Sequence, residues 1–247
     1  MCIRDRNKRV VNNYNEMTVS VTDGDENEMA VRFRVFNDGV AFRYEWNLGE
    51  SADTVVVTDE LTQFGLPADG KSWSIAASAD TYELPYRIMP IGEVSDANTP
   101  FTFRTEAGVY GSVHEAALYD YPEMTLKRNA DGVLQAELSP LPNGVKAYVP
   151  AQFATPWRTI QIADKATGLI NSAMILNLNE PSKIADTSWI KPQKYIGIWW
   201  GMHLGTQTWI QGPRHGATTE NAIKYIDFAV ANNIPVSYTH LTLPTIA

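Results

Sequence analysis

Hydrophobic and polar residues alternate most cleanly between Val31 and Trp46. Val31, Phe33 and Val35 interleave with Arg32 and Arg34; beyond Asn37, Asp38 and Gly39, the residues Val40, Phe42, Tyr44 and Trp46 interleave with Arg43 and Glu45. Period-two alternation on both sides of an Asx-Gly turn predicts a β-hairpin with one wet face. Shorter β-like runs lie at 17–23, 54–58, 73–76, 101–104, 109–114, 124–127, 134–138, 146–153, 159–162 and 173–178. Turn-forming Gly, Pro, Asn and Asp separate nearly all of them. No helix of ordinary length is expected before Thr218, so the pattern predicts sheet packed on sheet.

The pattern changes at Lys194. Tyr195 to Met202 is an almost uncharged run rich in Ile and Trp, which predicts a strand covered on both faces, as in a parallel sheet. After a loop containing Gly212, Pro213 and Gly216, Thr218 or Thr219 can cap a helix. Ala222, Ile223, Ile226, Ala229 and Val230 form its apolar stripe, Glu220 and Lys224 stand four apart on its surface, and Asn232 and Asn233 can end it in the left-handed conformation. Strand, loop and helix make the first half of a βαβ unit, which needs a second parallel strand. The residues beyond Asn233 are not expected to supply one.

The two ends account for that expectation. MCIRDR and VSYTHLTLPT resemble the translation of the two strands of a transposase adapter used in preparing sequencing libraries. Residues 1–6 and 235–247 are therefore expected to be adapter-derived tails outside any fold, with the natural protein longer at both ends. The intervening chain divides into an expected β-sandwich at 7–190 and a second domain starting at 191–234, joined through the Pro-containing, polar stretch 179–192.

With 247 residues, 44% of them hydrophobic, the chain can bury a substantial core. The formal charge of −8 without a basic cluster argues against nucleic acid as a partner, and no apolar run is long enough to span a bilayer as a helix. The sole cysteine, Cys2, falls in the expected adapter, leaving no disulfide or thiol chemistry to the rest.

Read in order, VRFRVFNDGVAFRYEW, DTYELPY, HEAALYDY, TPWRTI, LNLNEPSKIADTSWIKPQKYIGIWW and HGATTENAIKYIDFA resemble glycoside hydrolase family 97, the SusB-type α-glucosidases, from about Val31 to Asn232. The resemblance implies a mainly β fold here: a large N-terminal β-sandwich followed by the truncated start of a catalytic (β/α)8 barrel. It implies an exo-acting α-glycosidase that hydrolyses terminal α-linked glucose from α-gluco-oligosaccharides with calcium as cofactor, exported or periplasmic in a bacterium. An α-galactosidase of the same family, or a non-catalytic carbohydrate-binding sandwich, are the alternatives. The strand and helix after Lys194 speak against the last.

By the same resemblance, the catalytic acid and base lie on later barrel strands, beyond this chain. Glu83, in DTYELPY, matches the position from which the family's sandwich supplies a calcium ligand; the plain alternative is a solvated loop carboxylate. Glu115, in HEAALYDY, is the second candidate, though a local ion pair or hydrogen bond explains such a residue more often. Arg158 in TPWR reads as an interface or substrate arginine, or equally as a strand-surface charge. Trp199 and Trp200 are expected on opposite faces of a strand, more as core than as sugar platforms, with His203 at that strand's C-terminal end. His114 and His215 have no ligand-like spacing, so no zinc site is read.

Overall fold

A computed structural model describes residues 10–22, 28–49, 53–79 and 81–238. Residues 1–6 and 239–247 of the expected tails lie outside this set. The chain divides into two units, one reaching from Arg9 to Pro181 and the other including Ser182 onward.

The first unit is built on the hairpin predicted from alternation. Strands β2 (Glu28–Phe36) and β3 (Gly39–Asn47) pair antiparallel through a two-residue turn, and β1 (Asn15–Thr22) adds to the outer edge of β2. On the other side of β3 the sheet continues through β15 (Trp157–Ala163), β10 (Tyr110–Ala116), β9 (Phe101–Arg104), β6 (Lys71–Ser74) and β7 (Arg87–Pro90), while β14 (Gln152–Ala154) also pairs with β3. Gly39 is required at the turn because a Cβ there would collide with the backbone carbonyl of Ile160.

A second layer contains β5 (Gln63–Phe64), β12 (Leu134–Leu138), β11 (Met124–Arg128) and β8 (Asp96–Asn98), and a separate pair is formed by β13 (Ala147–Pro150) with β4 (Thr54–Val57). The register shows why the layers meet. Phe42, Ile160, Val113 and Phe101 share the inner face of the long sheet and pack against Phe64, Met124, Leu126, Leu134, Ala136 and Leu138 of the shorter one. This apolar interior is the sandwich core.

The opposite face of the long sheet carries a second cluster. Phe36, Ala41, Ala116 and Trp157 pack against Met174 and Leu178 of α2 (Met174–Leu178), which follows α1 (Ala166–Asn171). The strand expected at 173–178 is thus a helix. Farther out, this face is a ladder of charge: Arg32 bonds Glu16 and Glu45 at 2.7 and 2.8 Å, and Arg43 bonds Glu45 at 2.7 Å. The guanidinium carbons of Arg34 and Arg43 stand 4.8 and 4.4 Å from the Trp157 ring centroid.

In the second unit the strand expected over Tyr195 to Met202 is only β16 (Tyr195–Gly197); a short helix α3 (Trp199–His203) follows directly. The predicted long helix is α4 (Thr219–Ala231), capped by Thr218, whose Oγ1 accepts from the Asn221 N–H at 3.2 Å. Glu220 and Lys224 pair at 2.8 Å, and Asn233 turns left-handed at φ 53°. The missing second parallel strand is present: β17 (Val236–Tyr238), inside the expected adapter tail, pairs in parallel with β16. Backbone groups left open on a strand edge favour such pairing.

Candidate functional site

The only arginine among the fully buried side chains of the described residues is Arg158 on β15. It lies between the two layers, because β15 registers Arg158 opposite Phe42 on one side and Glu115 on the other. Its Nε and one terminal nitrogen donate to the two oxygens of Glu60 at 2.8 and 2.6 Å, and the other terminal nitrogen donates to Glu115 at 2.5 Å. Glu115 also accepts the Met124 N–H at 3.1 Å, so the group ties β10 and β15 to β11 of the facing sheet. Glu60 takes further bonds from Thr62 Oγ1 at 2.8 Å and the Tyr121 hydroxyl at 3.3 Å.

Two carboxylates around one guanidinium leave the cluster with an excess negative charge when all three are ionised. Burial raises the Glu115 pKa, and the charge of Arg158 opposes that rise without cancelling it. Burial works against the charged form of Arg158, but the bonds and charges of Glu60 and Glu115 outweigh it and raise its pKa. Tyr121 is pushed up by burial and by the neighbouring Glu60. This is a satisfied, desolvated ion cluster whose removal in part would strand a buried charge. Arg158 is therefore neither a surface charge nor an exposed substrate arginine, and Glu115 has the local ion pair that its strand position suggested.

Glu83 sits elsewhere, in an irregular stretch between β6 and β7. It is exposed, its N–H donates to Thr81 Oγ1 at 3.0 Å, and among the described residues its carboxylate has no partner. Next to it the Tyr82 hydroxyl donates to Glu123. Calcium takes six to eight oxygens, and no group of three or more His, Cys, Asp or Glu suited to a metal occurs among the described residues. The Glu83 carboxylate is exposed and open to a ligand, whereas both oxygens of Glu115 are engaged inside the sandwich.

The aromatic pair after β16 is arranged differently from expectation. Trp199 and Trp200 lie on α3, both largely exposed, with ring centroids 4.5 and 6.1 Å from that of His203. His203 ends this helix instead of a strand. His114, on β10, is half-buried, its Nδ1 3.0 Å from Thr99 Oγ1 and its pKa lowered by burial. His215 belongs to a separate bridge with Thr208.

The antiparallel sandwich is thus followed along the chain by a separate unit with a parallel strand pair and α4. Residues 3–181 match the family described as Glycosyl-hydrolase 97 N-terminal, which defines the class as the N-terminal domain of a glycoside hydrolase. The chain belongs to glycoside hydrolase family 97. A family 97 enzyme from Pseudoalteromonas sp. strain K8, solved in complex with acarbose, is 44% identical with a TM-score of 0.81, over 92% of this chain and 35% of that one. The retaining α-galactosidase of Bacteroides thetaiotaomicron is 26% identical over 90% of this chain and 37% of its own length. A probable retaining α-galactosidase of Streptomyces bingchenggensis is 29% identical over 82% and 29%. The chain thus spans about a third of the length of the relatives it matches.

Proposed function

We propose that this chain is the N-terminal sandwich and the first part of the catalytic domain of an exo-acting α-glycosidase that releases terminal α-linked glucose from oligosaccharides. The observation that carries this reading is the 44% identity, over 92% of the chain, to the Pseudoalteromonas family 97 enzyme solved with acarbose; a single-substitution variant of a family 97 enzyme from the same strain has been solved with panose. The two α-galactosidases, at 29% and 26% identity, support the second reading, an α-galactosidase of the same family.

The paired carboxylates that hydrolysis requires belong, on this reading, to the part of the longer protein outside the present chain. Glu60 and Glu115 cannot serve as that pair, since both are buried and bound to Arg158. The sandwich would hold its domain rigid through the buried ion cluster and lend Glu83 to a calcium site. Calcium there would supply positive charge beside the reacting sugar oxygens. Export to the periplasm is part of the same proposal. The test is an assay of the full-length parent on maltose, panose and an aryl α-galactoside, with calcium and with chelator. Release of glucose from maltose supports the α-glucosidase reading, turnover of the galactoside alone replaces it with the second, and no turnover of any of the three overturns both.

A further inference from the structure

The loop between β12 and β13 turns on Leu141, Pro142, Asn143 and Gly144. The Gly144 N–H donates to Leu141 O at 2.8 Å, the Leu141 N–H donates to Val145 O at 2.8 Å, and Gly144 takes φ 85°. Asn143 is the only asparagine followed by glycine in the sequence. Its side-chain amide folds back over the turn: Oδ1 accepts the Val145 N–H at 3.1 Å, and Nδ2 donates to the Tyr148 hydroxyl at 2.9 Å. Asn143 and Gly144 are exposed, and beyond the chain neighbours no atom of the described residues lies within 4 Å of the point where a Cβ on Gly144 would stand. Two other asparagines share half of this arrangement. Asn47 Oδ1 accepts the Gly49 N–H at 3.0 Å and Asn129 Oδ1 accepts the Asp131 N–H at 3.1 Å, but Leu48 and Ala130 follow them, and Asn129 Nδ2 donates to the side-chain carbonyl of Gln135 instead of a hydroxyl.

From this geometry we propose that Asn143 is a modification site, which converts through a cyclic succinimide to aspartate or isoaspartate. Attack begins when the Gly144 N–H leaves Leu141 O, an opening confined to one exposed turn. The Gly144 nitrogen, its proton taken by solvent base, forms a bond to Asn143 Cγ, and without a Cβ on Gly144 the approach meets no side chain. Negative charge developing on Oδ1 meets the Val145 N–H. The Cγ–Nδ2 bond then breaks, and Nδ2 departs as ammonia with a proton from the Tyr148 hydroxyl, which solvent restores. Water opens the succinimide at one of its two carbonyls: cleavage of the new C–N bond gives aspartate, and cleavage of the original peptide bond gives isoaspartate. The net change is asparagine and water to aspartate or isoaspartate and ammonia, with nothing oxidised or reduced. The product adds a carboxylate to a chain of formal charge −8 and loses the donor to Tyr148. As isoaspartate it also lengthens the backbone of the turn by a methylene.

The proposal is independent of the sugar specificity and of calcium. The present chain, incubated folded at mildly alkaline pH, is digested and read by mass spectrometry for the gain in mass that exchange of an amide NH2 for OH produces at each asparagine. Asn143 should convert roughly tenfold or more faster than Asn47 and Asn129, which keep the Oδ1 donor but lack both the glycine and the hydroxyl. Tyr148→Phe, at a position 52% exposed, keeps the fold and should slow the conversion of Asn143 by roughly tenfold, leaving Asn47 and Asn129 unchanged. In urea, where the turn is lost, wild type and variant should convert Asn143 at one rate. Conversion of Asn143 no faster than that of Asn47 and Asn129 overturns the proposal. Equal rates in folded wild type and folded Tyr148→Phe also overturn it, as does a difference between them that persists in urea, because the folded turn then takes no part in the reaction.

Discussion

Arg158 concentrates the energetics of the sandwich in one side chain. A guanidinium with no exposed surface, held bidentately by Glu60 and singly by Glu115, leaves two buried carboxylates unpaired when removed. Arg158→Leu should therefore destabilise the protein by about 3–5 kcal/mol, measured by denaturant unfolding. A loss within experimental error of zero would mean the carboxylates find water or protons at little cost. Glu115 makes a second statement, about pH. Its folded pKa is raised above the ordinary 4.5, with burial the main cause. Its contribution to stability is thus complete below about pH 4.5 and is lost as pH rises through the folded value. Glu115→Gln abolishes that loss, so the stability of the variant relative to wild type should improve with rising pH from 4.5 upward. Glu45, lowered chiefly by its bond from Arg32, acts in the opposite direction and below that range, where protonation removes its contribution. A relative stability of Glu115→Gln that stays flat from pH 4.5 to 8 would contradict the assignment.

Trp157 shows how elements on the far face are held. It is 1% exposed, packed with Met174 and Leu178 of α2 and flanked by Arg34 and Arg43 from β2 and β3. Trp157→Ala should cost about 3–5 kcal/mol in equilibrium unfolding, with α2 losing its seat; a cost below about 1 kcal/mol would show that α2 docks without it. The hairpin that carries those arginines was legible in the sequence because nine-residue strands give period-two alternation room to show. Strands β5, β7 and β8, of two to four residues, are too short to display a period, and the pattern predicts none of them. Ala173 to Leu178 reads as strand for the same reason: a short, mostly apolar run fits either element. What makes it a helix is tertiary, the burial of Met174 and Leu178, four apart, over Trp157. Trp199 and Trp200 failed similarly, since a short apolar run with a Gly at 197 and another at 201 has no fixed period. The ion cluster was invisible because Glu60 and Glu115 lie 98 and 43 residues from Arg158, and nothing local distinguishes that arginine from a surface charge. The assignment of Glu83 rests on the family resemblance alone; its surroundings show an exposed carboxylate and nothing more.

At the scale of the whole molecule, the described chain has a finished core and unfinished surroundings. The core cluster of the sandwich is buried on both sides, whereas Ile223, Ile226, Phe228 and Val230 stand 42% or more exposed on α4, which on the proposed reading is a helix whose sheet has further strands. Catalysis, on the proposed reading, depends on those further strands, and Glu83 is the sandwich's contribution to them. Calcium that binds only the folded full-length form should raise its melting temperature as the free ion exceeds the dissociation constant. Glu83→Gln keeps the shape and removes the charge, and it touches no described partner, so the sandwich should remain folded. The variant of the full-length parent should then show a reduced calcium-induced rise in melting temperature and lower glucose release, while its melting temperature in chelator matches wild type. The present chain, with one such carboxylate, should show no calcium-induced shift of its own, because a single ligand supplies too few of the six to eight oxygens the ion takes. The measurement is a thermal melt of the full-length wild type, its Glu83→Gln variant and the present chain, each in calcium and in chelator. An identical calcium-induced shift in wild type and variant would take Glu83 out of the site, and a shift in the present chain would mean that calcium is held by the sandwich alone.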